Sequence, residues 1–430
     1  MGTVLGMRTT GERWWEAEQD EAHGGVFQAA TAIAAQQGSA RDDDALYMRM
    51  YGPTDGLRTG SKAKALDLSS RNGLMGQGYN LIRSAVNTAV AHVGSQRTKP
   101  RFVTDDADWS LVKRAKACEQ VIKGIFDAER FYEKAGECFR DAGVTRIAAM
   151  FVFLEDGRAR LERTMPGELL VDVREGYAGA PRTLYRLKAV ERQVLKEKYD
   201  LAELPPPSTL DRQLFNAFPW LSDDVQSTAD QTMTITAWRL PCGKLPGRRV
   251  VAIAGKTLDD CEYKRKRFPF AFFKWNPQQT GFYGTSIAAE LRGHQRKINY
   301  LDIKIADILH KNSRSNLVTF NSPTGASSVN VQHLDNDPAT IIQVKGNQPP
   351  IQLTANAVPP ELFQHRREVI QDAFAQIGIT ELQATGQVDL GPRASGAAIR
   401  EVRESGSRRW KDRMQAWDQF AVDTARAVID

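Results

Sequence analysis

The spacing of apolar and polar positions changes character several times along the chain. Residues 1–60 have a helical but irregular pattern, with Trp14, Trp15, Phe27 and the small apolar run 29–35 forming a patch that must dock on the body of the fold or on a partner. Arg41-Asp42-Asp43-Asp44 precedes Ala45-Leu46-Tyr47-Met48. Three carboxylates ahead of an apolar run predict a helix start, where they meet the positive end of the helix dipole. Asn80 is placed to cap a helix carrying Ile82, Val86, Val90 and Val93 and closed by Gly94. Residues 99–104 read as extended around Pro100. A long helix follows, with Leu111, Ala115, Cys118, Ile122, Ile125 and Phe126 at helical spacing.

The period then falls to two. Residues 150–154 and 159–163 alternate about Asp156-Gly157, a hairpin turn signal. Residues 169–173, 232–240 and 249–254 read as further strands, residues 189–199 as a short charged helix, and the proline-led stretch 205–226 as a loop or insert. A Phe-rich strand (Phe268, Phe270, Phe272, Phe273) closes this part, so the first 280 residues form an α+β body.

After Trp275-Asn276-Pro277 and the turn at 281–285, Ser286 caps a long helix. Ile287, Leu291, His294, Ile298, Leu301, Ile305 and Ile308 recur on it alternately four and three residues apart, a heptad seam. Residues 313–356 break into short β-like pieces, Pro359-Pro360 opens a second helix lined by Leu362, Val369, Ile370, Phe374 and Ile377, and Gly378 ends it. Two helices bracketing a small β module suggest a module at the tip of a helical hairpin. Residues 379–396 are rich in Gly and small polar residues and read as a loop. A last helix from about residue 397 carries Trp410, Met414, Trp417, Ala421, Ala425 and Val428 on one face, with a kink signal at Ser405-Gly406-Ser407.

Composition narrows the chemistry more than the fold. Lys plus Arg number 58 against 52 Asp plus Glu in 430 residues, a net charge of +6, too dilute for a dedicated tight nucleic-acid binder. The longest apolar run, residues 147–154, is far shorter than a membrane span, and the first residues carry no signal-peptide core. Cys118, Cys138, Cys242 and Cys261 have no CxxC spacing and read as incidental or buried thiols; no HExxH occurs. Gly56-Leu57-Arg58-Thr59-Gly60-Ser61-Lys62 has the wrong spacing and order for a phosphate loop, and Gly76-Gln77-Gly78 lacks a third glycine. The six histidines are scattered, and His294 reads as a packed residue of the seam. No catalytic residues, metal site or cofactor are expected, and the chain reads as a non-enzyme. Lys264-Arg265-Lys266-Arg267, the densest basic run, reads as a solvated strand entry.

The order of these parts resembles the portal protein, or head-to-tail connector, of tailed bacteriophages. The resemblance is carried by residues 80–104 (NLIRSAVNTAVAHVGSQRTKPRFVT), by the hairpin region 143–161, and above all by residues 275–299 (WNPQQTGFYGTSIAAELRGHQRKIN). It implies an α+β, portal-like elongated subunit. An α/β wing spans 1–280, with an N-terminal helical part at 1–79. The first stem helix spans 281–315, a small β-containing clip 316–358, the second stem helix 359–378, a tunnel loop 379–396, and a long kinked wing helix 397–430. The chain is then expected to stop short of a C-terminal crown or barrel.

By the same resemblance, Gln383, Thr385, Gln387, Asp389 and Arg393 line a DNA channel, and Arg296, Lys297, Lys304 and Lys311 are candidate channel-facing stem bases. Phe320, Val331, Ile341 and Val344 offer a clip surface to partners. The seam of Ile287, Leu291, Ile298, Leu301, Ile305 and Ile308 is expected to pack against neighbouring copies, since a lone hairpin leaves its apolar stripe uncovered. The implied function is a ring, usually of twelve copies, at one capsid vertex: the channel for double-stranded DNA in packaging and ejection. Its implied partners are the terminase large subunit, tail adaptor proteins, and major capsid and scaffold proteins. The implied location is the virion, after synthesis in the host bacterial cytoplasm, with no membrane. The alternatives are another virion component, an adaptor or minor capsid protein, or a metal-dependent DNA-processing enzyme built on Asp42–Asp44.

Overall fold

The structure is a computed structural model. It describes residues 13–52, 79–94, 97–104, 109–201, 203–205, 214, 230–313, 316–321, 340–345, 351–353, 358–379 and 410–430. The protein is of mixed α+β class. Two compact units divide it: residues 1–63, 82–290 and 377–430 in the first, and residues 64–81 and 291–376 in the second.

The first unit opens with two helices, α1 (Ala22–Gln36) and α2 (Gly38–Tyr51), followed by α3 (Leu81–Val93). Residues 97–104 then run without regular structure to α4 (Trp109–Ala128) and α5 (Phe131–Val144). The helix signals at 81–94 and 109–128 are met. α5 was not anticipated, although Phe131, Ala135, Cys138, Phe139 and Ala142 have helical spacing and all are buried. The hairpin β1 (Ala148–Glu155) and β2 (Arg158–Thr164) turns where expected, with Asp156 and Gly157 both at positive φ (50° and 74°), as a primed two-residue turn requires.

A five-stranded antiparallel sheet follows. Its order is β3 (Leu169–Leu170), β4 (Thr183–Glu191), β5 (Gln231–Arg239), β6 (Gly247–Ile253) and β7 (Lys256–Tyr263), with the short helix α6 (Arg192–Lys198) after β4. Period two makes its two faces distinct. Tyr185, Leu187, Met233, Ile235, Ala237, Val250 and Ala252 pack with Trp14, Val26, Phe27, Ala30 and Ile33. The N-terminal aromatic patch therefore docks on the body. From the other face, Leu184 and Trp238 meet Ile147, Ala149 and Phe270.

Phe270 belongs to β8 (Phe270–Phe273), which completes a second sheet of order β2-β1-β8. The opposite side of that sheet is covered by α5 and by α9 (Lys411–Ile429), through rings such as Phe139–Phe273 at 4.8 Å, Phe139–Trp417 at 5.8 Å and Phe273–Phe420 at 6.0 Å. Ahead of α9 in the chain lie α7 (Ile287–Ser313) and α8 (Pro360–Ile377). On α9, Trp410, Trp417, Ala421 and Ala425 are buried as the pattern predicts, joined by Phe420 and Thr424. No described helix is long and apolar enough to cross a membrane.

The expected start of the second helix is corrected. Asp42–Asp44 lie inside α2 rather than ahead of it, because the helix begins at Gly38, directly after a one-residue break from α1. Asp44 is 5% exposed and pairs with Arg146 at 2.8 Å. Burial pushes its carboxyl pKa upward, against the pull of Arg146.

Candidate functional site

The site begins where the chain turns into its longest helix. β9 (Asn276–Pro277) pairs with β10 (Gly284–Thr285) as a two-rung ladder. Gly284 is required there, since a Cβ would stand 2.7 Å from the Asn276 carbonyl oxygen. The Ser286 hydroxyl then accepts a hydrogen bond from the Ala289 N–H at 3.1 Å and caps α7, as its position predicts.

The root of this helix is built from three stretches of chain. Asn276 donates to Glu290 and accepts from Arg413 of α9. The Arg413 guanidinium lies 5.7 Å from the Trp275 ring centre, and Trp275 meets Trp410 edge to face at 5.2 Å. The Trp410 indole N–H donates to the Gly378 carbonyl at 3.0 Å. Burial raises the Glu290 pKa, and the Asn276 hydrogen bond and Arg413 oppose that shift. The residue after α8 is therefore fastened to the same cluster as the first turn of α7. Sequence reading missed the roles of Asn276, Glu290, Trp410 and Arg413, because they converge only in space.

Within the second unit, α7 continues and leads to a three-stranded module. β11 (Asn316–Asn321) is central, parallel to β12 (Thr340–Lys345) and antiparallel to β13 (Ile351–Leu353). The chain returns through α8, which ends at Gly378 with φ 74°, a left-handed helix stop. Asp302 of α7 forms an ion pair with Arg366 of α8. The Gln295 amide is 5% exposed. It accepts from the Leu81 N–H at 2.8 Å and donates to the Tyr79 carbonyl at 2.9 Å and to Asn299 at 2.8 Å.

The seam is corrected in its role. Ile287, Leu291, Ile298, Leu301 and Ile305 are already buried in the single chain, so that stripe is not left for a neighbouring copy; Ile308 is half-buried. The first of them, Ile287, has its Cδ1 3.6 Å from where Gly143 would carry a Cβ, so it is packed at the foot of the helix. Among the described residues of α7 and α8, the exposed large apolar side chains are Tyr300, Leu309 and Phe363.

Arg296, Lys297 and Lys304 are exposed on α7, with the Lys304 ammonium 4.8 Å from the Tyr300 ring centre. Lys311 lies in the last turns of α7, and its side chain is outside the described residues, as are those of the β module. Leu317 is in register with Ile341, and Phe320 with Val344, across the β11–β12 pair. Val331, together with Gln383, Thr385, Gln387, Asp389 and Arg393, lies outside the described residues. His294 is half-buried, and among the described residues no cluster of three or more His, Cys, Asp or Glu is placed to hold a metal ion. Cys138 is buried, while Cys242 and Cys261 are exposed, all as free thiols. The run 264–267 is exposed after β7.

Compared with known proteins, the chain matches no family model and no curated protein.

Proposed function

We propose that the chain is a subunit of a portal-type ring, a channel for double-stranded DNA at one capsid vertex. The observation that carries this reading is the excursion 291–376. It leaves the α+β unit on a capped helix, builds a three-stranded module and returns on a second helix. In this reading α7 and α8 are the stem, the β module is the clip, and α9 is part of the wing.

The exposed Tyr300, Leu309 and Phe363 suit packing against neighbouring copies, a task the buried seam has given up. Arg296, Lys297 and Lys304 supply exposed positive charge along the stem. A ring multiplies a dilute charge into a field that attracts DNA without a gripping patch. Residues 379–396 serve as the tunnel loop, and the clip meets the terminase large subunit and then the tail adaptors. The wing meets major capsid and scaffold proteins. The ring has no catalytic activity of its own and resides in the virion. Native mass measurement of the purified chain tests the reading. It should give one closed assembly of about twelve chains, and a monomer at all concentrations would overturn it.

A further inference from the structure

Outside the excursion, basic side chains gather at one surface. A groove of about 900 Å³ runs between residues 97–101 and the helices α4 and α5, and a recess of about 560 Å³ adjoins it at Phe102. Nine basic side chains line the two, against four acidic ones. The five-charge excess there is large beside the net +6 of the whole chain.

Residues 97–104 form one wall as an extended strap. Exposure alternates along it, with Arg97, Lys99, Arg101 and Val103 outward and the intervening residues half-buried. One backbone edge is tied down. The Thr98 carbonyl accepts from the Tyr132 hydroxyl at 2.7 Å, its own hydroxyl donates to Asp418, and the Phe102 N–H donates to Glu119 at 2.9 Å. No hydrogen bond within the described structure uses the main chain of Lys99, Arg101 or Val103. The strap is therefore an extended segment with one edge anchored and, among the described residues, the other open, flanked by bases about 7 Å apart at every second residue.

We propose that this strap docks an extended acidic peptide segment of a partner protein, which adds as a strand to the open edge and places carboxylates against Arg97, Lys99 and Arg101. Two features favour a peptide over a nucleic acid. The open edge offers carbonyl acceptors, which need N–H donors that a sugar–phosphate backbone lacks. Val103, 91% exposed, extends the line of bases with an apolar contact. This surface is independent of the reading of the excursion.

Fluorescence anisotropy on the full chain provides the test. The probe is a labelled short peptide alternating Glu and Thr. It is compared with its Lys-for-Glu counterpart, with single-stranded DNA of matching length, and with two versions N-methylated at every second amide, one in each phase. The Glu peptide should bind, the Lys peptide should not, and only one N-methylated phase should lose binding, because a strand pairs on one edge. The K99E/R101E double variant should weaken binding at least about tenfold with an unchanged melting curve. Failure of the Glu peptide to bind, or equal binding of both N-methylated phases, would overturn the proposal. So would stronger binding of the DNA. A D105N/D106N/D108N variant guards against occupation of the groove by the next acids of the same chain: if only that variant bound the peptide, the proposal would fall.

Discussion

Single residues in this protein act mostly through charges that are buried in company. Glu129, at the end of α4, is pushed upward by burial but held down to a pKa of about 2 by hydrogen bonds from Arg160, Lys134 and the Leu161 N–H. A carboxyl depressed in the folded state stabilises it above the unfolded pKa, and that contribution is lost as pH falls through the folded value. Denaturant midpoints should therefore fall between pH of about 4.5 and 2, and Glu129→Gln should remove part of that slope. A wild-type-like slope in the variant would contradict the assignment. Arg146→Met should cost about 3–5 kcal/mol, because it leaves the Asp44 carboxylate buried without its partner, and equilibrium unfolding measures it directly. Asp44 also shows why this part of the sequence was misread. Three acids in a row look like a solvated helix start, yet one of them is an internal group paired with a residue about a hundred positions away.

Elements follow the same logic. The sequence pattern revealed the hairpin at Asp156-Gly157, the helices of 81–93 and 109–128, the capped α7 and the Gly378 stop, because their signals are local. β4 and β7 were hidden, and both were masked by charge. β4 carries Arg186, only 4% exposed, whose guanidinium reaches Glu162 and Glu168 at 2.9 Å each. β7 carries Asp259, Asp260 and Glu262, and its two aspartates pair with Arg249 and Arg248 of β6. A period count reads such residues as surface. In space the β7 aspartates are cross-strand partners of β6, and Arg186 bridges to Glu162 of the other sheet and to Glu168 just ahead of β3. The heptad seam was legible as a helix face, but what covers it was not, since a stripe does not name its partner.

Two predictions belong to the helix roots and the α7–α8 pair. Trp410→Ala removes the ring that meets Trp275 and the N–H that holds Gly378, and should cost about 3–5 kcal/mol in urea unfolding. Asp302 and Arg366 should show a coupling of about 0.5–1 kcal/mol in a double-mutant cycle, with the charge-swapped pair D302R/R366D recovering part of it. Zero coupling would mean that the ion pair does not hold α7 to α8.

At the scale of the whole molecule, the α+β body is a stack of layers, with α1 on the five-stranded sheet, that sheet on the three-stranded one, and α5 with α9 beneath. The excursion exposes Tyr300, Leu309 and Phe363 on two helices. In the proposed ring, neighbouring copies cover them. Cryo-electron microscopy of the purified full-length chain tests it most directly. The account predicts end-on class averages of a closed ring of about a dozen copies around an open central hole, with the helix–β module–helix excursions side by side. Class averages showing only compact single chains, or a ring lacking a central hole, would contradict it.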